Sequence, residues 1–182
     1  TTEMIELAIR DGLVADGTDS APRLADVGIS GGEIVEVGDV GAANLNLDAA
    51  GLVVAPGFVD AHTHDDMQLR RDPFNREKLL QGVTTVICGN CGFSAFPHRP
   101  GHTSPDLLST DGPWESFGSY AQALRAQGIG PNMATFVGHN TASRHIDPRV
   151  DRRPDRRHRT QIVDQIRRSV EEGALGVSSG LI

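Results

Sequence analysis

The feature that most constrains the fold is a regular alternation of strand-like and helix-like segments after Pro56-Gly57. The strand-like segments are GFVDAHTHDD, VTTVICGN, NMATFVGHN and ALGVSSGLI. The helix-like segments are REKLLQG (76–82), WESFGSYAQALRAQG (114–128) and residues 155–173. A β-α-β-α-β-α-β order predicts parallel strands with helical crossovers, in an open sheet or a barrel. The long segment 93–113, rich in Pro, Ser, Gly and Asp, is predicted to be a functional loop after the second strand.

Residues 1–55 follow a different pattern, in which short β segments are separated by turns. LADVGIS and EIVEVGD flank Gly31-Gly32, which is typical of a two-residue hairpin turn. MIELAIR and LVAD are separated by Asp11-Gly12, and ANLNLDAAGLVVAP adds two more short strands. We therefore predict an α/β protein with a small all-β, sandwich-like module at residues 1–55. An irregular N-terminal extension is the alternative for these residues.

Composition and charge disfavour nucleic acid and membranes as partners. The net charge of −7 argues against phosphate binding by the protein as a whole. The arginine-rich run RVDRRPDRRHR (149–159) is interrupted by aspartates and lacks aromatic residues, so we interpret it as a solvated loop and helix face. The sequence contains no apolar run long enough to span a bilayer and shows no signal peptide, so we predict a cytoplasmic location.

The strand-like segment GFVDAHTHDD ends in a His-x-His pair. His62 and His64 share one face of a strand because side chains alternate, whereas Thr63 points to the other face. Two imidazoles side by side on a rigid strand favour a divalent metal site. The alternative is that both are ordinary residues at a strand end. Asp65 and Asp66 are interpreted as solvated loop carboxylates or as groups that orient an imidazole.

The second strand-like segment carries Cys88 and Cys91, the two cysteines of the chain. Their C-x-x-C spacing is compatible with a redox dithiol, with half of a zinc knuckle, or with one metal ligand beside a bystander. No helix is predicted to begin within CGNC, and this disfavours a thioredoxin-like dithiol.

Two segments resemble a known family. AGLVVAPGFVDAHTHDD resembles the first barrel strand of the amidohydrolase superfamily. QGVTTVICGNCGFS is similar to the G-N-C-G segment of the N-acyl-D-amino-acid deacylases, or D-aminoacylases. RLADVGISGGEIVEVGD, SYAQALRA, FVGHNTAS and EEGALGVSSGL extend the resemblance along nearly the whole chain.

The resemblance implies a zinc-dependent hydrolase that cleaves the amide of N-acyl-D-amino acids to a carboxylate and a D-amino acid. It implies that His62, His64 and Cys91 hold the metal and that Cys88 is a bystander. His139, Asn90 and Asp65 are then candidates for contacting substrate or orienting a ligand.

The fold implied for residues 56–182 is the first half of a (β/α)8, TIM-like barrel, about its first four strands, because a complete barrel needs roughly 250 residues. In this family the remaining histidine ligands and the catalytic aspartate belong to later strands. We therefore expect this chain to be the N-terminal part of the enzyme, inactive alone. The other half of the barrel would act in cis or in trans, and a homodimer of half-barrels is a third option.

The sequence is also compatible with two other functions. The first is a cyclic-amide hydrolase of the dihydroorotase or hydantoinase type, which the GNCG segment disfavours. The second is a non-catalytic metal-binding fragment or partner chain.

Overall fold

The structure is a computed structural model that describes residues 4–98, 114–147 and 154–180. Most of the predicted functional loop (99–113) and the start of the arginine-rich run (149–153) lie outside the described residues. The chain forms two compact units, Thr1–Pro56 and Gly57–Ile182. Each unit is described separately below.

The first unit is all-β, as predicted. Its strands are β1 (Ile5–Val14), β2 (Arg23–Ser30), β3 (Glu33–Gly38), β4 (Ala43–Asp48) and β5 (Val53–Val54). They form one five-stranded sheet in the order β3-β2-β1-β4, with β5 paired to β1. The predicted hairpin is confirmed, because Ser30 pairs with Glu33 across Gly31 and Gly32, whose φ angles are 60° and 78°. Positive φ at both turn residues suits the twist of the flanking strands.

β1 runs through Asp11-Gly12, where the sequence pattern had predicted a break between two segments. The pairing with β2 shifts register at this point, and Asp11 has φ 58°. The Asp11 N–H donates to Asp26 Oδ1 at 2.8 Å. A Cβ atom on Gly12 would lie 2.4 Å from Val54 Cγ2, so the close approach of β5 requires glycine there. The dipeptide is thus a β-bulge and not a turn.

Arg10 connects the strands of the first unit. Its guanidinium bonds Asp26 Oδ2 at 2.7 Å, the Val40 carbonyl at 2.5 Å and the Gly41 carbonyl at 2.7 Å. Its Nε donates to Asn46 Oδ1 at 2.8 Å. The planar fork of five donors satisfies these acceptors simultaneously, which an ammonium group on lysine would not do.

The second unit is α/β. Its elements are β6 (Phe58–Asp60), α1 (Gln68–Arg71), α2 (Arg76–Leu79), β7 (Val83–Cys88), α3 (Phe117–Gln127), β8 (Asn132–Thr135), β9 (Val137–Gly138), α4 (His139–Ile146), α5 (Arg156–Glu171) and β10 (Val177–Ser178). Strands β6, β7 and β8 form a parallel sheet, and β9 pairs in parallel with β10. The predicted parallel order of a partial barrel is confirmed, and the described strands do not close into a full barrel.

The third predicted strand is divided at Phe136. Its first part, β8, pairs with β7, and the Phe136 N–H donates to the Cys88 carbonyl at 3.0 Å. Its second part, β9, pairs with β10, and the Val137 N–H donates to the Gly176 carbonyl at 2.9 Å. The two halves therefore pair with different strands, β7 and β10. Such a staggered pairing is expected where strands tilt relative to the axis of a barrel.

Two short helices, α1 and α4, were not predicted from the sequence. Each is too short for an apolar periodicity to be visible. α4 begins directly at His139, where the sequence pattern had placed the end of a strand.

The two longer helices begin at side-chain caps. The start of α5 agrees with the predicted residue 155, whereas α3 begins at Phe117 and not at the predicted residue 114. Ser116 and Ser119 form a capping box at the start of α3, and Asp155 accepts the His158 N–H at 2.8 Å at the start of α5. The apolar residues of α5 are only partly buried: Ile162 is 7% exposed, whereas Val163 and Val170 are 51% and 40% exposed in the described structure.

The core of the second unit surrounds Tyr120. It consists of Met67, Leu69, Val86, Cys88, Ala95, Phe96, Trp114, Tyr120, Leu124, Val137 and Ala174. The Tyr120 ring lies 5.5 Å from that of Phe96 and 5.2 Å from that of Trp114. Its hydroxyl donates to the Asp66 carbonyl at 2.5 Å. The start of the predicted functional loop, at Ala95 and Phe96, therefore belongs to the core.

Among the helices of the described residues, none combines the length and hydropathy of a bilayer-spanning segment. The cytoplasmic location stays a prediction.

Replacing Tyr120 with Phe tests the buried hydrogen bond to Asp66. We expect the Tyr120→Phe variant to lose about 1–3 kcal/mol of unfolding free energy, because the buried Asp66 carbonyl would lose its donor. Denaturant unfolding of the full-length protein measures this loss. Phe74→Leu is the control, since Phe74 is 65% exposed, and we expect a change within about 0.5 kcal/mol. Equal stability of Tyr120→Phe and wild type would contradict the assigned role.

The Asp26 carboxylate predicts a pH dependence of stability. The Asp11 N–H, and then Arg10, hold the pKa of Asp26 below its ordinary value of 3.8. The stabilisation from a lowered carboxyl pKa is present above that ordinary value and is lost as the pH falls through the folded-state pKa. We expect Asp26→Asn to be less stable than wild type at pH 7, with the difference shrinking below pH 4. Thermal unfolding at several pH values measures this, with the exposed-turn variant Asp19→Asn as control. A pH-independent difference would contradict the prediction.

Candidate metal site

The two histidines follow the carboxyl end of β6. The segment that carries them lies beside the carboxyl end of β7. The Thr63 N–H donates to the Ile87 carbonyl at 3.1 Å, and the His62 N–H donates to Asp60 Oδ1 at 3.2 Å. Thr63 is 5% exposed, whereas His62 and His64 are exposed. The side chains therefore alternate as predicted from the sequence: Thr63 is buried, and both imidazoles lie on the solvent-exposed side of the segment.

The structure brings His62, His64 and Cys91 together. One ligand atom from each of the three residues lies within 4.8 Å of the others. His62 Nε2 is 3.2 Å from Cys91 Sγ, and the two imidazole centroids are 6.0 Å apart. At the usual Zn–N and Zn–S bond lengths, a tetrahedral ion separates adjacent N and S ligands by about 3.6 Å. Two nitrogens and one sulfur at this spacing fit such an ion.

Cys91 reaches the histidines through a tight turn after β7. Gly89, Cys91 and Gly92 have φ angles of 73°, 55° and 81°, all in the left-handed region. A Cβ atom on Gly89 would lie 2.1 Å from the Phe136 carbonyl oxygen, so glycine is required there by close backbone approach as well as by conformation. The G-N-C-G order thus turns the chain out of the strand at Cys91.

Asn90 joins the two segments that carry the candidate ligands. Its side chain is buried, and Nδ2 donates to the Ile87 carbonyl at 2.8 Å and to the Thr63 carbonyl at 3.2 Å. Because Thr63 lies between the two histidines, this amide fixes the His-x-His segment against the end of β7. In the structure, Asn90 therefore links the two segments that carry the candidate ligands through its side-chain hydrogen bonds.

Cys88 lies in a different environment from Cys91. It is fully buried in the core at the end of β7, and burial raises the pKa of its thiol. Both cysteines are free, and Cys88 is not among the three clustered ligand residues. The buried thiol explains why the C-x-x-C spacing does not produce two equivalent sulfur ligands here.

Asp65 belongs to an ion-pair network that also contains Asp60 and Lys78. Lys78 Nζ bonds the Asp60 carboxylate and lies 3.5 Å from Asp65 Oδ2, which also accepts from Asn75 Nδ2 at 3.0 Å. The Lys78 hydrogen bond lowers the pKa of Asp60. Asp60 and Asp65 flank the His-x-His segment, so Lys78 holds both of its ends.

Asp66 is fully buried, which contradicts its interpretation as a solvated loop carboxylate. Its Oδ2 accepts the Ala95 N–H at 2.9 Å, and Oδ1 has no hydrogen-bond partner in the described structure. Burial raises the pKa of Asp66 to about 6. No local pattern distinguishes Asp65 from Asp66, because two adjacent aspartates after a histidine pair are typical of a polar loop.

His139 is not among the clustered ligand residues. It is exposed at the first position of α4, with Nε2 3.5 Å from Ser143 Oγ. The prediction that it contacts substrate or orients a ligand stays a prediction.

The Cys91 turn is also held by residues that were not predicted from the sequence, namely Ser94, Asn140, Thr141 and Ser178. They lie at the Cys91 turn itself or in the FVGHNTAS and ALGVSSGLI segments, and no local pattern marks their contacts with the turn.

Comparison with known proteins places the whole chain in one family. A profile of the amidohydrolase family matches residues 46–181. The chain is 38% identical over 187 residues to the D-aminoacylase of Alcaligenes xylosoxydans xylosoxydans, a match that covers 98% of this chain and 38% of that protein.

Solved structures show the same relationship. A D-aminoacylase with a binuclear metal centre superposes with a TM-score of 0.91 at 37% identity, covering 97% of this chain and 38% of that one. The N-acyl-D-glutamate deacylase of Bordetella bronchiseptica, complexed with zinc and a phosphonate inhibitor, superposes with a TM-score of 0.90 at 35% identity, covering 98% and 39%. The chain thus spans about 38% of the length of the relatives it matches. It belongs to the amidohydrolase family, and its sequence and fold match the N-acyl-D-amino-acid deacylases within that family.

Proposed function

We propose that this chain supplies His62, His64 and Cys91 to a zinc centre that hydrolyses the amide bond of N-acyl-D-amino acids. The observation that carries the proposal is the convergence of two imidazoles and a free thiol at the carboxyl ends of parallel strands. Barrel enzymes carry their chemistry at that edge of the sheet. The identity to a D-aminoacylase over nearly the whole chain supports the same reaction and substrate class.

The donor set suits zinc and leaves it accessible. Imidazole nitrogen and thiolate sulfur are zinc's preferred protein ligands, and His62 and His64 are open to solvent. A bound zinc ion would lower the pKa of a coordinated water to near neutrality and polarise the amide carbonyl. Cys91 has to lose its proton and both imidazoles have to be neutral to bind, so metal affinity should fall on acidification.

The described carboxylates near the ligands are engaged in other contacts. Asp60 and Asp65 contact Lys78, and Asp66 is buried against Ala95. We therefore propose that the general base, an aspartate by family resemblance, lies outside this chain. The remaining metal ligands would come from the same source, in cis or in trans. This chain covers only 38% of the length of the D-aminoacylase relative, and this supports the proposal that the remaining site residues lie outside it.

The two cysteines provide a matched test of the metal site. We expect Cys91→Ala in the full-length protein to lose bound zinc and to lower kcat/KM by more than about 100-fold, beyond the range for residues behind a ligand. We expect Cys88→Ala to keep its zinc and activity while losing stability, because it removes a buried core atom. Zinc content, hydrolysis rate and unfolding midpoint are measured for both. Equal zinc loss in the two variants would contradict the assignment of Cys91.

The substrate class is tested with linear and cyclic amides. We expect the zinc-loaded complete enzyme, in which this chain is joined in cis or in trans by the rest of the barrel, to release acetate from N-acetyl-D-methionine and not to open a hydantoin or dihydroorotate ring. N-acetyl-L-methionine is the stereochemical control, and chelation followed by zinc addition should abolish and restore the activity. Ring opening without acetate release would favour the cyclic-amide hydrolase. Inactivity towards all substrates in the zinc-loaded protein would favour the non-catalytic alternative.

A further inference from the structure

The conformation of Cys91 needs external support. Its φ of 55° lies in the left-handed region, which is unfavourable for a residue with a Cβ atom. The turn from Gly89 to Gly92 lies outside the regular strands, so its peptide groups need partners from elsewhere. The groups that supply those partners also determine where Cys91 Sγ points.

Ser178 contacts the turn on both sides of Cys91. The Gly92 N–H donates to Ser178 Oγ at 3.0 Å, and the same hydroxyl donates to the Gly89 carbonyl. A hydroxyl can accept and donate simultaneously, so one side chain satisfies both groups. Ser178 is held in place by the parallel pairing of β10 with β9, in which it faces Gly138.

The backbone around Ser178 also contacts the turn directly. A Cβ atom on Gly180 would lie 2.2 Å from the Cys91 carbonyl oxygen, so the two backbones approach closely. Asn140 Nδ2 donates to the Gly180 carbonyl at 3.2 Å, and the Asn140 N–H donates to the Gly92 carbonyl at 2.9 Å. The strand that carries Ser178 and the start of α4 therefore enclose the turn together.

We propose that Ser178 is a positioning residue that holds the Cys91 turn so that Sγ faces His62. The 3.2 Å separation of Cys91 Sγ from His62 Nε2 is the geometry that it maintains. The inference rests on the proposed zinc role of Cys91 and deepens it. A ligand that is already oriented loses less conformational entropy when a metal binds, so the support from Ser178 should raise the affinity for zinc.

Removing the Ser178 hydroxyl should weaken metal binding without removing a ligand. We expect Ser178→Ala in the full-length protein to raise the zinc dissociation constant about 10–100-fold, the range for groups that orient metal ligands. The cobalt-substituted protein should show a weaker or shifted thiolate-to-cobalt charge-transfer band. Ser178→Thr keeps the hydroxyl and should restore both properties towards wild type.

Ser179→Ala is the matched control, because Ser179 is adjacent and exposed. It should leave the zinc affinity and the charge-transfer band unchanged. The inference is overturned if Ser178→Ala has wild-type affinity and an unchanged band, or if Ser179→Ala produces the same loss. Should Ser178→Ala fail to fold, Ser178→Thr decides: retained zinc affinity supports the role, and lost affinity in a folded Thr variant overturns it.

A metal-free measurement separates this inference from the proposed function. The rate at which iodoacetamide alkylates Cys91 reports the mobility of the turn, while the buried Cys88 stays protected. We expect faster alkylation of Cys91 in metal-free Ser178→Ala than in metal-free wild type, and no change in Ser179→Ala. If wild type binds no zinc through Cys91, the proposed function fails, and the alkylation rates still decide whether Ser178 positions the turn.

Discussion

The tight turn at the end of β7 is the constraint on which the candidate site depends. A strand that simply continued past Cys88 would alternate its side chains along the sheet. The left-handed conformations of Gly89, Cys91 and Gly92 instead turn the chain out of the strand, and Cys91 Sγ lies 3.2 Å from His62 Nε2. Because Gly89 lies against the Phe136 backbone, no residue with a side chain fits there without displacing that backbone.

The two ligand-bearing segments are supported by polar contacts on each side of the ligands. Lys78 contacts Asp60 before the histidines and Asp65 after them. Ser178 contacts the turn before and after Cys91. Asn90 then bonds one segment to the other through the Thr63 carbonyl. Such support limits the motion of side chains that would otherwise be free at an open edge, which is what a metal site with defined geometry requires.

The core behind the site connects it to the helical layer. Asp66 follows the histidine segment and is bonded to the backbone at Ala95, while its own carbonyl accepts from Tyr120 on α3. The histidine segment, the residues after the Cys91 turn and α3 are therefore parts of one buried cluster. Among the described residues, Oδ1 of the buried Asp66 has no hydrogen-bond partner, which raises the free-energy cost of this arrangement.

The sequence by itself determined the parallel β/α order, the Gly31-Gly32 hairpin, and the opposite faces of Thr63 and the histidines. Each depends on local periodicity or backbone freedom, which neighbouring residues define. Only the tertiary structure decided that Asp11-Gly12 is a bulge, that Asp66 is buried while Asp65 pairs with Lys78, and that Ser178 contacts the Cys91 turn. These features depend on contacts between residues far apart in the chain. Burial and pairing arise when strands and helices pack, and no short segment records its distant neighbours.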